Sequence, residues 1–240
     1  MNNPVNLVDF NGKEPSTYEA AIMSGYVYHD KKDFSMYQNL LSETEWTVSE
    51  KQTSITMNYN GIGENGLQSM LFERTIDGVK EYVYAFAGTN SFEDCLEDMA
   101  QLAGVAPQYS AAIGNARTLS AELGDADLTF VGHSLGGGEA AAASMATNRC
   151  AITFNRSSVS KLTQLKNGLG STRNVKNVIT KTLDSSGNYV MEPLSNFQNT
   201  KIFGIPLLRT NGRTEFIRIN RQLGPIDAHS INTVVKHLRK

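Results

Sequence analysis

The segment Gly132-His133-Ser134-Leu135-Gly136 sets a serine between glycines at the spacing G-x-S-x-G. Attack of that hydroxyl on a carbonyl carbon is the chemistry such a serine can do, and the flanking residues suit it. The apolar run Leu128-Thr129-Phe130-Val131 reads as a short buried strand, and LGGGEAAAASMA after the serine reads as a helix. A sharp turn between them strains the serine backbone, so its neighbours must be small. Gly132 and Gly136 remove the Cβ atoms that would clash, while Gly137, Gly138 and the alanines let helix and strand approach. The hydroxyl then stands at a helix N-terminus, where the partial positive charge favours a developing oxyanion. A Gly-rich turn with a capping serine is the non-chemical alternative.

Serine at its ordinary pKa is a weak nucleophile and needs a base. Four histidines are present: His29, His133, His229 and His237. His133 lies inside the turn with its side chain directed away from Ser134, which reads as structural. The chain order serine, acid, histidine, usual where this turn ends a strand of an α/β sheet, excludes His29. His237 falls in the terminal HLRK. His229, in a loop just before a helix, is the base candidate. Five carboxylates follow Ser134: Glu139, Asp184, Glu192, Glu215 and Asp227. Glu139 is on the helix of the turn itself, Glu215 reads as solvated, and Asp227 is too close to His229 in sequence to orient its ring. Glu192, at a strand end before Pro193, suits the task of holding a histidine in one tautomer. Asp184, at the head of the hairpin turn Asp-Ser-Ser-Gly, is the second choice.

These residues need elements to place them. Residues 15–27 read as a helix, and residues 31–53 as a short helix with polar connection. Residues 60–66 read as a loop. Residues 69–76 and 80–87 form a hairpin about Asp77-Gly78, and the run YVYAFA has the character of a buried central strand. Residues 91–103 and 109–123 read as helices, 127–132 as a strand and 135–147 as a helix. Beyond them come a hairpin at 174–191, strands at 201–205 and 214–219, and a helix from Ser230. Strands alternating with helices predict an α/β class with a mostly parallel sheet flanked by helices.

The chain has 240 residues, 40% of them hydrophobic, with no visible linker, so a single domain over 1–240 is expected. No apolar run approaches a membrane span. No secretory signal is visible, which predicts a cytoplasmic protein or export by a signal-less route. Cys95 and Cys150 set no disulfide framework. The spacing of Cys and His offers no zinc site, and neither G-x-G-x-x-G nor a Walker lysine is present, so no metal or cofactor is expected. Nothing points to nucleic acid. The net charge of −2 divides unevenly, −12 over residues 1–134 and +10 over 135–240. Interleaving of the halves in one fold is the plain account. A basic face that meets an anionic lipid surface is the sharper one.

Tyr84-Ala85-Phe86-Ala87-Gly88-Thr89-Asn90-Ser91, the acidic FEDCLED after it and GHSLGG some forty residues later resemble the class 3 (fungal-type) lipases of the α/β-hydrolases, above all their short bacterial relatives. The resemblance covers about residues 65–232 and implies the α/β-hydrolase fold. It implies hydrolysis of a lipid carboxylic ester, lipase or phospholipase A in type, without metal. Ser134 is then the nucleophile and His229 the base, while Thr89 and the N–H of Leu135 form the oxyanion hole. The family's acid commonly stands as Asp-Pro before an apolar residue. Glu192-Pro193-Leu194 is the match here and departs from Asp, which leaves Asp184 open. Residues 99–112 fall where the family carries a lid. Compact size and likeness to short bacterial lipases extend the expectation to a delivered antibacterial phospholipase with a neutralising immunity protein and transient membrane contact. Two other readings are a non-catalytic binding module that keeps the fold, and a serine peptidase or acyltransferase built on it.

Overall fold

The computed structural model describes residues 14–50, 66–88, 107–198, 201–202, 205–206 and 212–239. Within them the chain opens with α1 (Thr17–Tyr26), α2 (Phe34–Ser42) and β1 (Thr47–Val48). The Asp77-Gly78 turn then joins β2 (Ser69–Ile76) to β3 (Val79–Phe86), both turn residues taking positive φ as a tight hairpin requires. Next come α3 (Pro107–Leu123), β4 (Asp127–His133), α4 (Leu135–Thr147), β5 (Cys150–Phe154) and α5 (Lys161–Asn167). A second hairpin pairs β6 (Val175–Leu183) with β7 (Tyr189–Met191) and leads into α6 (Pro193–Gln198). The chain ends through β8 (Lys201–Ile202), β9 (Ile205–Pro206), β10 (Arg213–Arg218), α7 (Pro225–His229) and α8 (Ile231–Leu238).

Among the described residues, one sheet runs in the order β1-β2-β3-β4-β5-β6-β10, with β7 beside β6, and β8 pairs with β9. The central pairings β3–β4, β4–β5, β5–β6 and β6–β10 are parallel, while β1–β2, β2–β3 and β6–β7 are antiparallel. The sheet is thus mixed, more so than the alternation of elements suggested, because both hairpins add antiparallel strands outside the parallel centre. Parallel strands covered on both faces by helices make a layered α/β architecture.

Alternation along the strands divides the core between the two faces. Val83, Ala85, Val131, Ile152 and Phe154 pack with Ala21, Ile22 and Val234 from α1 and α8. Tyr84, Phe86, Phe130 and Ala151 face α3 and α4, meeting Ile113, Leu119 and Ala140. Burial on both faces explains why residues 82–87 read as one unbroken apolar run.

Three elements, β5, α5 and α6, arise without a reading in the sequence, and β1 falls within the stretch read as polar connection. The segment holding His229, read as a loop, is the five-residue helix α7 with Pro225 at its start. The helix expected at 91–103 and residues 99–106 of the lid candidate lie outside the described residues, and residues 107–112 form the first turns of α3. No described helix is long and apolar enough to cross a membrane.

Candidate active site

Ser134 joins the end of β4 to α4 with φ 57° and ψ −124°, a region L-residues avoid. Strain of this kind costs about 1–3 kcal/mol and persists only where its surroundings over-determine it. Here they do. The Ser134 N–H donates to the Phe154 carbonyl at 3.1 Å, and its own carbonyl accepts from Ser157 N–H at 2.9 Å and Gly138 N–H at 3.2 Å. The glycines are held by contact rather than by φ. A Cβ on Gly132 would lie 2.3 Å from the Gly136 carbonyl oxygen, and one on Gly136 would lie 2.2 Å from that of Phe86. A Cβ on Gly138 would meet the Tyr109 hydroxyl at 2.0 Å. Leu135 is the first residue of α4, so its N–H belongs to the helix start, where donors lack intrahelical acceptors. Thr89 lies outside the described residues.

His229 closes α7 with its ring buried, and its Nδ1 lies 2.7 Å from Oε2 of Glu192. Glu192 is wholly buried between β7 and α6. Its carboxylate also accepts the N–H groups of Leu194 at 2.9 Å and Ser195 at 2.5 Å, so the first turn of α6 fixes it from the far side. With the carboxylate on Nδ1, the imidazole carries its proton there and leaves Nε2 as the basic nitrogen. Ser134 and His229 line one cavity of about 250 Å3, together with Tyr28, Ile226 and Asp33.

The structure therefore brings Ser134, His229 and Glu192 into one region. Asp184 remains in its turn, where Oδ1 accepts from the N–H groups of Ser186 and Asn188 at 2.9 and 2.8 Å. Asp227 is exposed on α7. Glu215, read as solvated, is instead partly buried and bridges Lys176 at 3.4 Å and Arg213 at 3.0 Å. Glu139 is enclosed between α4 and the sheet with its Oε2 unpaired, and burial pushes its carboxyl well above the usual range. It lies in the core, outside the cavity that Ser134 and His229 line.

Around His229, the sequence reading takes His133 as structural and passes over Tyr28, Asn155 and Thr180. His133 is buried, with Nε2 2.7 Å from the His229 carbonyl oxygen and Nδ1 2.9 Å from the Tyr28 hydroxyl. A carbonyl only accepts, so Nε2 bears the proton and Nδ1 accepts from Tyr28. Burial, with His229 nearby, holds the His133 ring neutral by lowering its pKa well below the ordinary value. Asn155 takes positive φ at the end of β5 and donates Nδ2–H to the same carbonyl at 2.9 Å. Its Oδ1 accepts from Thr180 N–H at 2.8 Å, and the Thr180 carbonyl accepts from Glu192 N–H at 2.9 Å. One hydrogen-bonded chain thus runs from Tyr28, just beyond α1, through the serine turn and His229 to Glu192. Asn155 left a faint sequence signal, as an Asn just beyond a strand. A ring that bonds a main-chain carbonyl leaves none.

Comparison with known proteins places this geometry. A family model described as a Tle-like phospholipase domain matches residues 19–203, including the serine turn and Glu192 and stopping short of His229. A 91-residue segment, 38% of the chain, is 46% identical to an extracellular phospholipase A1 of Serratia liquefaciens and spans 28% of that protein. Among solved structures, a Rhizomucor miehei lipase propeptide complex aligns with TM-score 0.44 and 13% identity over 73% of this chain and 65% of that one. A triacylglycerol lipase from Penicillium expansum aligns with TM-score 0.38 and 14% identity over 73% and 76%. Because the family match runs from α1 past β8, through every strand of the parallel centre before β10, the chain belongs to the Tle-like phospholipase domain family.

Proposed function

We propose that the protein hydrolyses carboxylic acyl esters of phospholipids through Ser134, His229 and Glu192. The observation that carries this is the 2.7 Å contact of His229 Nδ1 with the buried Glu192 carboxylate, while the same imidazole and Ser134 share one cavity. Ser134 Oγ attacks the ester carbonyl as His229 Nε2 takes its proton, giving a tetrahedral oxyanion. The N–H of Leu135 donates to that oxygen, and Thr89 supplies the second donor. Collapse releases the lysolipid alcohol, which leaves with the proton from His229. Water activated by the same imidazole then frees the fatty acid from Ser134. Glu192 holds the ring orientation and stabilises the imidazolium formed in each half.

Phospholipid as the substrate is supported by the family and by the local identity to a phospholipase A1. Mass spectrometry of liposomes treated with wild type and with Ser134→Ala tests it. Fatty acid and lysophospholipid are expected with wild type alone, and equal release by both proteins would refute the reading. The finer reading, a delivered antibacterial effector with a neutralising partner, rests on compact size and the likeness of the serine-turn and strand motifs to short bacterial lipases. Expression of both forms directed to a bacterial periplasm tests it, with growth arrest expected only from the wild type.

A further inference from the structure

Helix α5 presents its apolar side chains to solvent. Leu162 is 53% exposed and Leu165 80%, three positions apart on one face, and no residue of the helix is buried. The helix is nevertheless well formed. The Ser160 hydroxyl caps it by accepting from Thr163 N–H at 3.0 Å, and Gly168 closes it in the left-handed region. Exposed leucines on a capped helix mark a surface that another phase or molecule covers.

The surrounding charge has one sign. Lys161 and Lys166 flank the leucines, and Arg117 on α3 reaches the Asn167 carbonyl at 2.7 Å. Arg173 follows six residues after the helix. All four cations are exposed, and none has a carboxylate partner among the described residues. Residues 140–183 contain no Asp or Glu at all. A second copy of the chain would bring like charges together, so self-association on this face is disfavoured. An anionic lipid surface satisfies both features, with leucines entering the headgroup boundary and cations meeting phosphates. The helix is also tied to the serine turn. The connection 155–160 that leads into it bonds Ser134 through Ser157, and Ser157 Oγ lies 2.9 Å from the Tyr109 hydroxyl.

We propose that α5, with Leu162, Leu165, Lys161, Lys166 and Arg117, is the docking face for an anionic phospholipid bilayer. The proposal rests on the phospholipase reading for its purpose but is tested without catalysis. Binding of the full chain carrying Ser134→Ala is measured on vesicles of phosphatidylcholine alone and of phosphatidylcholine with a minority of phosphatidylglycerol. Preferential, salt-sensitive binding to the anionic vesicles is expected. Lys161→Gln with Lys166→Gln lowers it about thirtyfold at low salt, from about fivefold per lysine at the surface. Leu162→Gln with Leu165→Gln lowers it about tenfold or more. In the Ser134 background, both pairs keep wild-type turnover of a water-soluble short-chain ester, which shows that the fold and the triad are intact. Absence of vesicle binding, equal binding to both compositions, or undiminished binding by either pair would overturn the proposal. Vesicle binding with no hydrolysis would instead sink the enzymatic reading and leave this one standing. Capture of an acidic protein by α5 without vesicle binding counts against it.

Discussion

Nε2 of His133 donates a hydrogen bond to the carbonyl oxygen of His229 at 2.7 Å, joining residues 96 apart. The residue beside the candidate nucleophile thereby grips the main chain of the candidate base, and Asn155 grips the same oxygen from β5 at 2.9 Å. Misplacement by an ångström can cost about a hundredfold in rate. His133→Leu is therefore expected to lower kcat about 10- to 100-fold with KM near the wild-type value. His133→Gln, which keeps an amide donor, recovers part of the loss. Steady-state kinetics on a soluble ester, with the rate of fluorophosphonate labelling of Ser134, read this out. A changed KM with unchanged kcat would contradict the positioning role.

The two acids of the 175–192 hairpin separate cleanly by mutation. Glu192→Gln removes the charge that faces Nδ1 and is expected to lower kcat by about 10³–10⁴. Asp184→Asn keeps an oxygen acceptor for the turn N–H groups and leaves kcat within about twofold, since the carboxylate touches only its own turn. Equal losses in both variants would mean that Glu192 does not orient the base.

Two glycines predict opposite outcomes for one substitution. Gly136→Ala sets a Cβ 2.2 Å from a main-chain oxygen of β3 and is expected to destabilise by about 3 kcal/mol or more. Gly114→Ala, on the exposed face of α3 with open space at its Cβ, is expected to stabilise by about 0.5–1 kcal/mol. Urea unfolding midpoints of the two variants against wild type check both signs.

Glu139 predicts a pH dependence. Burial raises the folded pKa of its carboxyl well above the ordinary carboxylate range, so over that interval the folded state keeps a proton that the unfolded chain loses. Stability from this group therefore falls as pH rises above the unfolded value, until the folded pKa is reached. Glu139→Gln removes that slope. The stability gained by the variant over wild type should grow as pH rises above the ordinary carboxylate range in paired urea titrations. A difference independent of pH would show that the carboxyl is ionised in the fold.

Legibility tracked the range of the interactions. The hairpin about Asp77-Gly78 and the serine turn were readable because their determinants lie within a few residues: a positive-φ dipeptide, and glycines wherever a Cβ would collide. Strand β5 was missed because its five residues, the last four of them buried, carry no alternation. Helix α5 was missed because it buries nothing and so imprints no apolar stripe. Helix α7 spans five residues, too few for periodicity, although Pro225 at its start was a usable sign.

By itself the sequence determined which residue types were available for acyl transfer: one serine in a strained turn, two histidines late enough to follow it, and a handful of carboxylates. It also determined the elements that present the serine, since local sterics and hairpin chemistry act along the chain. Tertiary structure alone decided the partners. Glu192 reaches His229 across 37 residues because β7 returns along β6 and α6 turns its N–H groups onto the carboxylate. His133 and Asn155 hold the base through a main-chain oxygen, a contact that every residue type offers and no sequence pattern records. Placement of that oxygen depends on the parallel pairing of β4, β5 and β6, which only the assembled sheet supplies.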